Sequence, residues 1–159
     1  MTEQVVWQSW ILITIMVMAL KLSFMKGRTY FLLPYTARRR RNIPSYWAML
    51  MKLGIDLGEN YNLNFPMKLG TNYETWKEAL SLSINQIKKY SPEVLLVSLG
   101  VDTFSEDPVG GFNLLSNDFL NIGKEIKAIN TPTHFVMEGG YAKAELGQNV
   151  SNVILGFLN

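Results

Sequence analysis

Beyond Leu53, short runs of apolar residues alternate along the chain with segments whose apolar residues recur at helical spacing. This pattern predicts strands that alternate with helices. Val and Leu dominate a short run from Glu93 to Gly100, entered through Ser91-Pro92. Such a run is typical of a strand buried on both faces of a parallel sheet. The apolar run from Thr133 to Met137 predicts a second strand of the same kind.

Three other segments carry apolar residues at helical spacing. The first has capping-box spacing from Thr71 to Glu74 and continues to Tyr90; the second opens at Ser116 and stops at Asn130-Thr131-Pro132; the third starts near Lys143. The residues predicted to face a sheet are Trp76, Leu80, Ile84, Ile87, Phe119, Ile122, Ile126, Leu146, Val150, Val153, Ile154 and Phe157. Alternating strands and helices predict a doubly wound α/β fold, here as the C-terminal part of a larger sheet with helices on both faces.

Each predicted strand is followed by one chemically useful side chain. Asp102 follows the first strand, and Tyr141 follows the second after Glu138-Gly139-Gly140. In open α/β sheets ligands bind outside the carboxyl ends of the strands, and paired glycines let the backbone approach a ligand closely. A site at Asp102 and Tyr141 is therefore predicted. The alternative for each residue alone is a loop-capping carboxylate and a packed phenol whose hydroxyl reaches a backbone carbonyl.

The phrases SLGVDTFSEDP, VMEGGY and NLNFPMKLGT, from about Gly54 onward, resemble the C-terminal part of the zinc-dependent deacetylases. That family includes histone deacetylases and acetylpolyamine amidohydrolases, and the wording is most similar to the acetylpolyamine branch. The resemblance implies an arginase/deacetylase-like three-layer α/β/α fold with a mainly parallel sheet. It further implies a hydrolase that removes acetate from acetylpolyamines or acetyl-lysine.

The resemblance also assigns roles. It implies that Asp102 is a zinc ligand and that Tyr141 donates a hydrogen bond to the oxyanion formed when zinc-bound water attacks an acetamide. A carboxylate suits Zn²⁺, and a phenol ordinarily ionises near pH 10, so it is still a donor at neutral pH. Asp107, before Pro108, completes the family motif, although a turn-forming structural role is favoured for it. The residues implied to line the substrate channel are Gly110, Gly111, Glu138, Gly139 and Gly140.

The ligand set is incomplete in this sequence. A catalytic zinc has three protein ligands and a water, whereas the chain has no Cys and a single His, His134. His134 lies within an apolar strand pattern, which favours a packed strand residue over a ligand. The family's Asp-x-His motif and tandem His pair are expected upstream and cannot be read there. The chain is therefore expected to be an inactive fragment that does not hold zinc tightly by itself.

The N-terminal segment, residues 1–52, differs from the part at 53–159. Residues 5 to 20 are almost wholly apolar, and Lys21, Lys26, Arg28 and the run Arg38 to Arg41 follow them. One hypothesis is a membrane anchor through residues 5–25 with a positive flank, attached to a noncatalytic α/β binding module. The run is marginally short for a spanning helix.

The second hypothesis is that this segment is translated out of frame. The hypothesis can be examined by back-translating the segment and reading it two bases out of frame. Because Trp and Met have single codons, some of the shifted codons are fully determined. The shifted codon that spans Trp10 and Ile11, for example, must encode Asp. With allowed third bases elsewhere, Trp7 to Lys21 reads AILDIDYHHGNGTQ, which contains the missing Asp-x-Asp-x-His-His pattern. Tyr46 to Lys52 reads LGYADEI, another phrase that resembles the family.

Composition narrows the remaining classes. The 15 basic and 13 acidic residues leave a net charge of +2, and no aromatic and basic recognition motif is present, so no nucleic-acid partner is expected. The absence of Cys excludes disulfides and thiolate zinc sites. The intact enzyme is expected in the cytoplasm, and a homo-oligomer is compatible with the sequence. A third reading, a complete small α/β enzyme with an unrelated site at Asp102 and Tyr141, stays open.

Overall fold

A computed structural model describes residues 10–15, 19–25, 29–31 and 63–159 of the chain. In chain order the strands are β1 (Trp10–Ile15), β2 (Ala19–Met25), β3 (Thr29–Phe31), β4 (Leu63–Pro66), β5 (Val94–Leu99) and β6 (Thr133–Met137). The helices are α1 (Tyr73–Tyr90), α2 (Ser116–Lys127) and α3 (Leu146–Leu158). The predicted alternation of strands and helices beyond residue 90 is confirmed.

The strands form one sheet in the order β4-β2-β3-β1-β5-β6. The half of the sheet made by β1, β5 and β6 is parallel, whereas β2 runs antiparallel to its neighbours. Leu99 is the register partner of Ile15 on one side and of Met137 on the other. The carboxyl ends of β1, β5 and β6 therefore lie level at one edge of the sheet, where the predicted site belongs.

The predicted helical faces form the core of the molecule. All predicted inward residues of α1 and α2 are buried, and they join Leu95, Val97 and Leu99 of β5 in one apolar cluster. In α3 only Val153 among the predicted inward residues is fully buried, while the others are partly covered. Phe157 of α3 meets Phe135 of β6 edge to face, at 5.1 Å between ring centroids. This contact holds the last helix against the last strand.

Helices α2 and α3 cross at two glycines. A methyl group at Gly123 would overlap the carbonyl oxygen of Val153, and one at Gly156 would overlap the carbonyl oxygen of Leu120. Only hydrogen atoms fit between the two backbones at these positions. The close crossing places α3, and with it the loop that follows β6, in a fixed position relative to the core.

The helix ends differ in detail from the sequence prediction. Asn72, not Thr71, caps α1, because its side chain accepts a hydrogen bond from the backbone N–H of Thr75 at 3.1 Å. The hydroxyl of Thr71 instead donates to the carbonyl of Lys68 at 2.7 Å. Helix α3 begins at Leu146 rather than near Lys143. Neither difference moves the apolar face of its helix.

The N-terminal hypotheses concern residues that are only partly described. Residues 10–15 and 19–25 form strands of the sheet, while residues 5–9, 16–18 and 38–52 lie outside the described part. Among the described helices, none combines the length and the apolar character needed to cross a bilayer.

Candidate functional site

Two loops make the site, and the backbone ties them together where β5 and β6 end. The N–H of Glu138 donates to the carbonyl of Leu99 at 2.9 Å, and the N–H of Val101 donates to the carbonyl of Gly139 at 2.8 Å. These bonds extend the parallel pairing of β5 and β6 beyond the last strand residues. The loop carrying Asp102 and the loop carrying Tyr141 consequently leave the sheet side by side.

Asp102 lies at the bottom of the site and has no exposed surface. Two predicted channel glycines pack directly on it. A methyl group at Gly139 would come within 2.5 Å of Asp102 Oδ2, and one at Gly110 would overlap the Asp102 carbonyl oxygen. A side chain at either position would overlap Asp102, so glycine is needed for both loops to pack against it.

Tyr141 lies at the surface of the same site. Its side chain is 49% exposed, and its backbone N–H donates to Asp107 Oδ2 at 2.6 Å. The main chain of Tyr141 is thus held from below while the phenol remains open to a ligand. The two neighbouring loops thus present one buried carboxylate and one exposed hydrogen-bond donor.

Asp107 connects the two loops. Its Oδ1 accepts from the N–H groups of Val109 (2.8 Å) and Gly110 (3.1 Å) in its own loop. Its Oδ2 accepts from the N–H groups of Tyr141 (2.6 Å) and Ala142 (3.1 Å) in the other loop. The structural role predicted for Asp107 is present, but it reaches much farther along the chain than a local turn.

The other predicted channel residues differ in exposure. Glu138 is exposed, whereas Gly140 is partly buried. Gly111 and Gly140 have φ angles of 73° and 149°, which residues with a Cβ rarely adopt. These two positions therefore require glycine for backbone conformation as well as for space.

A third loop, which the sequence analysis did not assign to the site, joins the Asp102 loop from the side. The N–H of Gly70 donates to the carbonyl of Gly111 at 2.7 Å, and the N–H of Asn113 donates to the carbonyl of Thr71 at 2.9 Å. The side chain of Leu69, 61% exposed, reaches the Cα of Gly111. The family-like phrase around NLNFPMKLGT was the available signal, but no single residue in it predicted this pairing.

The part of the chain that the structure describes does not bring a metal-binding set together. Within the described residues, no group of three or more His, Cys, Asp or Glu side chains is placed to hold a metal ion. His134 lies on β6 with its side chain exposed, so the prediction that it is packed within the sheet is wrong. The reason is that the face of β6 carrying His134 and Val136 is not covered by the described elements. The described residues by themselves therefore do not fit a catalytic zinc, which needs three protein ligands.

Comparisons with known proteins agree with this architecture. The chain matches the histone deacetylase domain over residues 40–157. It is 44% identical over 118 residues to acetylpolyamine amidohydrolase 2 of Pseudomonas aeruginosa, which covers 74% of this chain and 34% of that protein. It is 42% identical over 113 residues to the acetylpolyamine amidohydrolase of Mycoplana ramosa, which covers 71% of this chain and 33% of that protein.

A solved structure is similar in fold as well. The acetylpolyamine aminohydrolase from Burkholderia pseudomallei superimposes with a TM-score of 0.63 at 31% identity, over 65% of this chain and 30% of that one. The predicted fold class, part of an arginase/deacetylase-like α/β fold, is confirmed. The chain spans about a third of the length of the curated relatives it matches.

Proposed function

Because the chain belongs to the histone deacetylase family, we propose that it supplies one part of a zinc-dependent deacetylase site, namely Asp102 and Tyr141. The observation that carries this proposal is their placement on adjacent loops, with Asp102 fully buried and Tyr141 49% exposed. The parent reaction is the hydrolysis of an acetylated amine to acetate and the free amine.

Each residue has a distinct task in that reaction. Asp102 would contribute one carboxylate to the metal, which would supply Lewis-acid activation when bound. The phenol of Tyr141 would donate a hydrogen bond to the oxygen of the acetamide as negative charge develops there. One such donor typically accounts for about 10²- to 10³-fold in rate. The loops that carry the two residues are already joined, so the donor needs little reorganisation.

We assign acetylated polyamines as the substrate class ahead of acetyl-lysine. Two relatives at 44% and 42% identity are named acetylpolyamine amidohydrolases. The exposed side chain of Glu138 lies three residues before Tyr141 and would attract the ammonium groups of a polyamine. The same region would line the channel with Gly110, Gly111, Gly139 and Gly140. The intact enzyme would act in the cytoplasm.

This chain alone is proposed to be inactive. Among residues 63–159 Asp102 is a single candidate ligand, and the only His of the sequence, His134, lies on the exposed face of β6. One carboxylate does not hold a catalytic zinc, and no His is available beside Tyr141 for proton transfer.

The out-of-frame hypothesis would account for the absence of the other metal ligands from this sequence. Strand β1, Trp10–Ile15, pairs in parallel with β5, the strand that leads to Asp102. The shifted reading places Asp-x-Asp-x-His-His between Trp10 and Met16, so its second Asp and its two His would fall in the carboxyl half of β1, toward the sheet edge where Asp102 lies. Sequencing the gene together with its upstream DNA tests this. A shifted frame that continues upstream as deacetylase sequence supports the hypothesis, and its absence refutes it.

An activity assay tests the functional proposal. The purified chain, with and without added Zn²⁺, is expected to release no acetate from a mono-acetylated diamine. A version with codons 7 to 52 read in the shifted frame and continued upstream with the deacetylase sequence of the gene is expected to hydrolyse it, and Tyr141→Phe in that version to lose about 10²-fold or more. Turnover by the unaltered chain that Asp102→Asn abolishes would show that the ligand set is complete after all. Turnover that survives chelation would instead favour an unrelated enzyme.

A further inference from the structure

The Asp107 carboxylate accepts hydrogen bonds on both of its oxygens. It is 7% exposed and accepts four backbone N–H groups, two on each oxygen, at 2.6 to 3.1 Å. Two of the donors lie in its own loop, and the other two, Tyr141 and Ala142, lie 34 and 35 residues further along the chain. An ionised carboxylate is an acceptor with room for about four donors, so these four bonds satisfy it completely.

The geometry points to Asp107 as the positioning residue for Tyr141. Bonds from backbone N–H groups to a charged carboxylate are among the stronger hydrogen bonds in proteins. The pair at Tyr141 and Ala142 fixes the main chain from which the phenol projects, and it fixes it relative to the loop that carries Asp102. The role of the phenol in the reaction rests on the proposed function. The hydrogen bonds between Asp107 and the main chain of Tyr141 and Ala142 do not.

The same carboxylate fixes the main chain at two exposed side chains. Val109 and Tyr141 each donate their backbone N–H to Asp107, and their side chains are 56% and 49% exposed. Asp107 therefore links the main chain of its own loop to the main chain that carries the phenol.

Replacing Asp107 with Asn separates the two halves of this attachment. The bonds to Val109 and Gly110 close a short local turn, so the amide oxygen of Asn is expected to stay there. The amide NH₂ then faces the N–H groups of Tyr141 and Ala142, which lose their acceptor and meet a donor instead. The substitution should therefore break the hydrogen bonds from Tyr141 and Ala142 and keep those from Val109 and Gly110.

Hydrogen exchange of the full chain, read residue by residue by NMR, tests the inference. In Asp107→Asn the amides of Tyr141 and Ala142 should exchange at least about tenfold faster, while amides of α2 keep their wild-type rates. Glu106→Gln, which removes the same charge from the exposed neighbouring residue, should leave the exchange of Tyr141 and Ala142 unchanged. Unchanged exchange at Tyr141 and Ala142 in Asp107→Asn would overturn the inference.

A second measurement covers the case in which Asp107→Asn does not fold. In the wild-type chain, scalar coupling across the hydrogen bond should connect the amide nitrogen of Tyr141 to the carboxylate carbon of Asp107. Its absence in a folded wild-type chain, together with fast exchange at Tyr141, would also overturn the inference. Neither measurement requires turnover, so an inactive or active chain leaves the result interpretable.

Discussion

The Cα of Gly139 lies directly against the carboxylate of Asp102, so closely that a methyl group on Gly139 would come within 2.5 Å of Oδ2 and 3.0 Å of Cγ. Asp102 has no solvent-exposed surface, and the absence of a side chain at Gly139 leaves room for its carboxylate. A side chain at position 139 would therefore displace the acid.

Gly139→Ala is expected to destabilise the chain by about 1–3 kcal/mol, since overpacking a buried site forces side chains from their preferred positions. Chemical denaturation measures the free energy of unfolding. The matched control is Gly147→Ala, because a methyl group there meets no atom within 4 Å. An unfolding free energy of Gly139→Ala equal to wild type would mean that the Asp102 carboxylate is mobile.

The crossing of α2 and α3 gives a second prediction. Gly123→Ala and Gly156→Ala each place a methyl group against backbone atoms of the partner helix. Alanine favours a helix over glycine by about 1 kcal/mol. The backbone overlap should outweigh that gain, and both variants should unfold at lower denaturant concentration than wild type. Stabilisation by either substitution would show that the helices do not approach this closely.

Tyr73 makes the free energy of unfolding depend on pH in the alkaline range. Burial, followed by the nearby carboxylates of Glu125, Asp118 and Glu74, raises the pKa of Tyr73 from 10.0 to about 12. The folded chain therefore retains a proton that the unfolded chain releases above pH 10. The stability this provides is complete below pH 10 and is lost as the pH rises through about 12.

Absorbance titration of ionising tyrosine, compared between wild type and Tyr73→Phe, measures this directly. The difference should contain one phenol that ionises near pH 12. Glu125→Gln should lower the pKa of Tyr73, because it removes one of the charges that raise it. A difference titration centred at pH 10 in the folded chain would contradict the prediction.

The position of β6 predicts self-association. It is the last strand in the described sheet, and Val136 and Met137 are 43% and 48% exposed on it. An exposed apolar edge strand favours pairing with other chains. Val136→Lys should therefore reduce light scattering of the concentrated protein. Leu82→Lys, at a 55% exposed position on α1, should not. Equal effects of the two substitutions would point to general surface hydrophobicity instead.

The positions of Asp102 and Tyr141 after neighbouring strands could be predicted from the sequence because the signals are local. A strand of Val and Leu followed by Asp102, and one followed by two glycines and Tyr141, fix which side chains meet at the sheet edge once the strands are parallel. The apolar faces of α1 and α2 were equally clear from spacing. These features follow from the period of each element and from the direction of parallel strands.

The remainder depends on distant contacts. Nothing near Asp107 indicates that its carboxylate accepts N–H groups 34 and 35 residues away. The alternation around His134 identifies two faces of a strand but not which face is covered. Thr71 and Asn72 are both good capping residues. The carbonyl of Thr71 accepts a hydrogen bond from the N–H of Asn113 in another loop, and Asn72 is the residue that caps the helix.

The central claim is that this chain contributes only part of a deacetylase site. The most direct measurement is the zinc content of the purified, folded chain after equilibrium dialysis against Zn²⁺ and removal of free metal. We predict far less than one zinc per chain, unchanged by Asp102→Asn. One tightly bound zinc per chain that Asp102→Asn removes would contradict the claim.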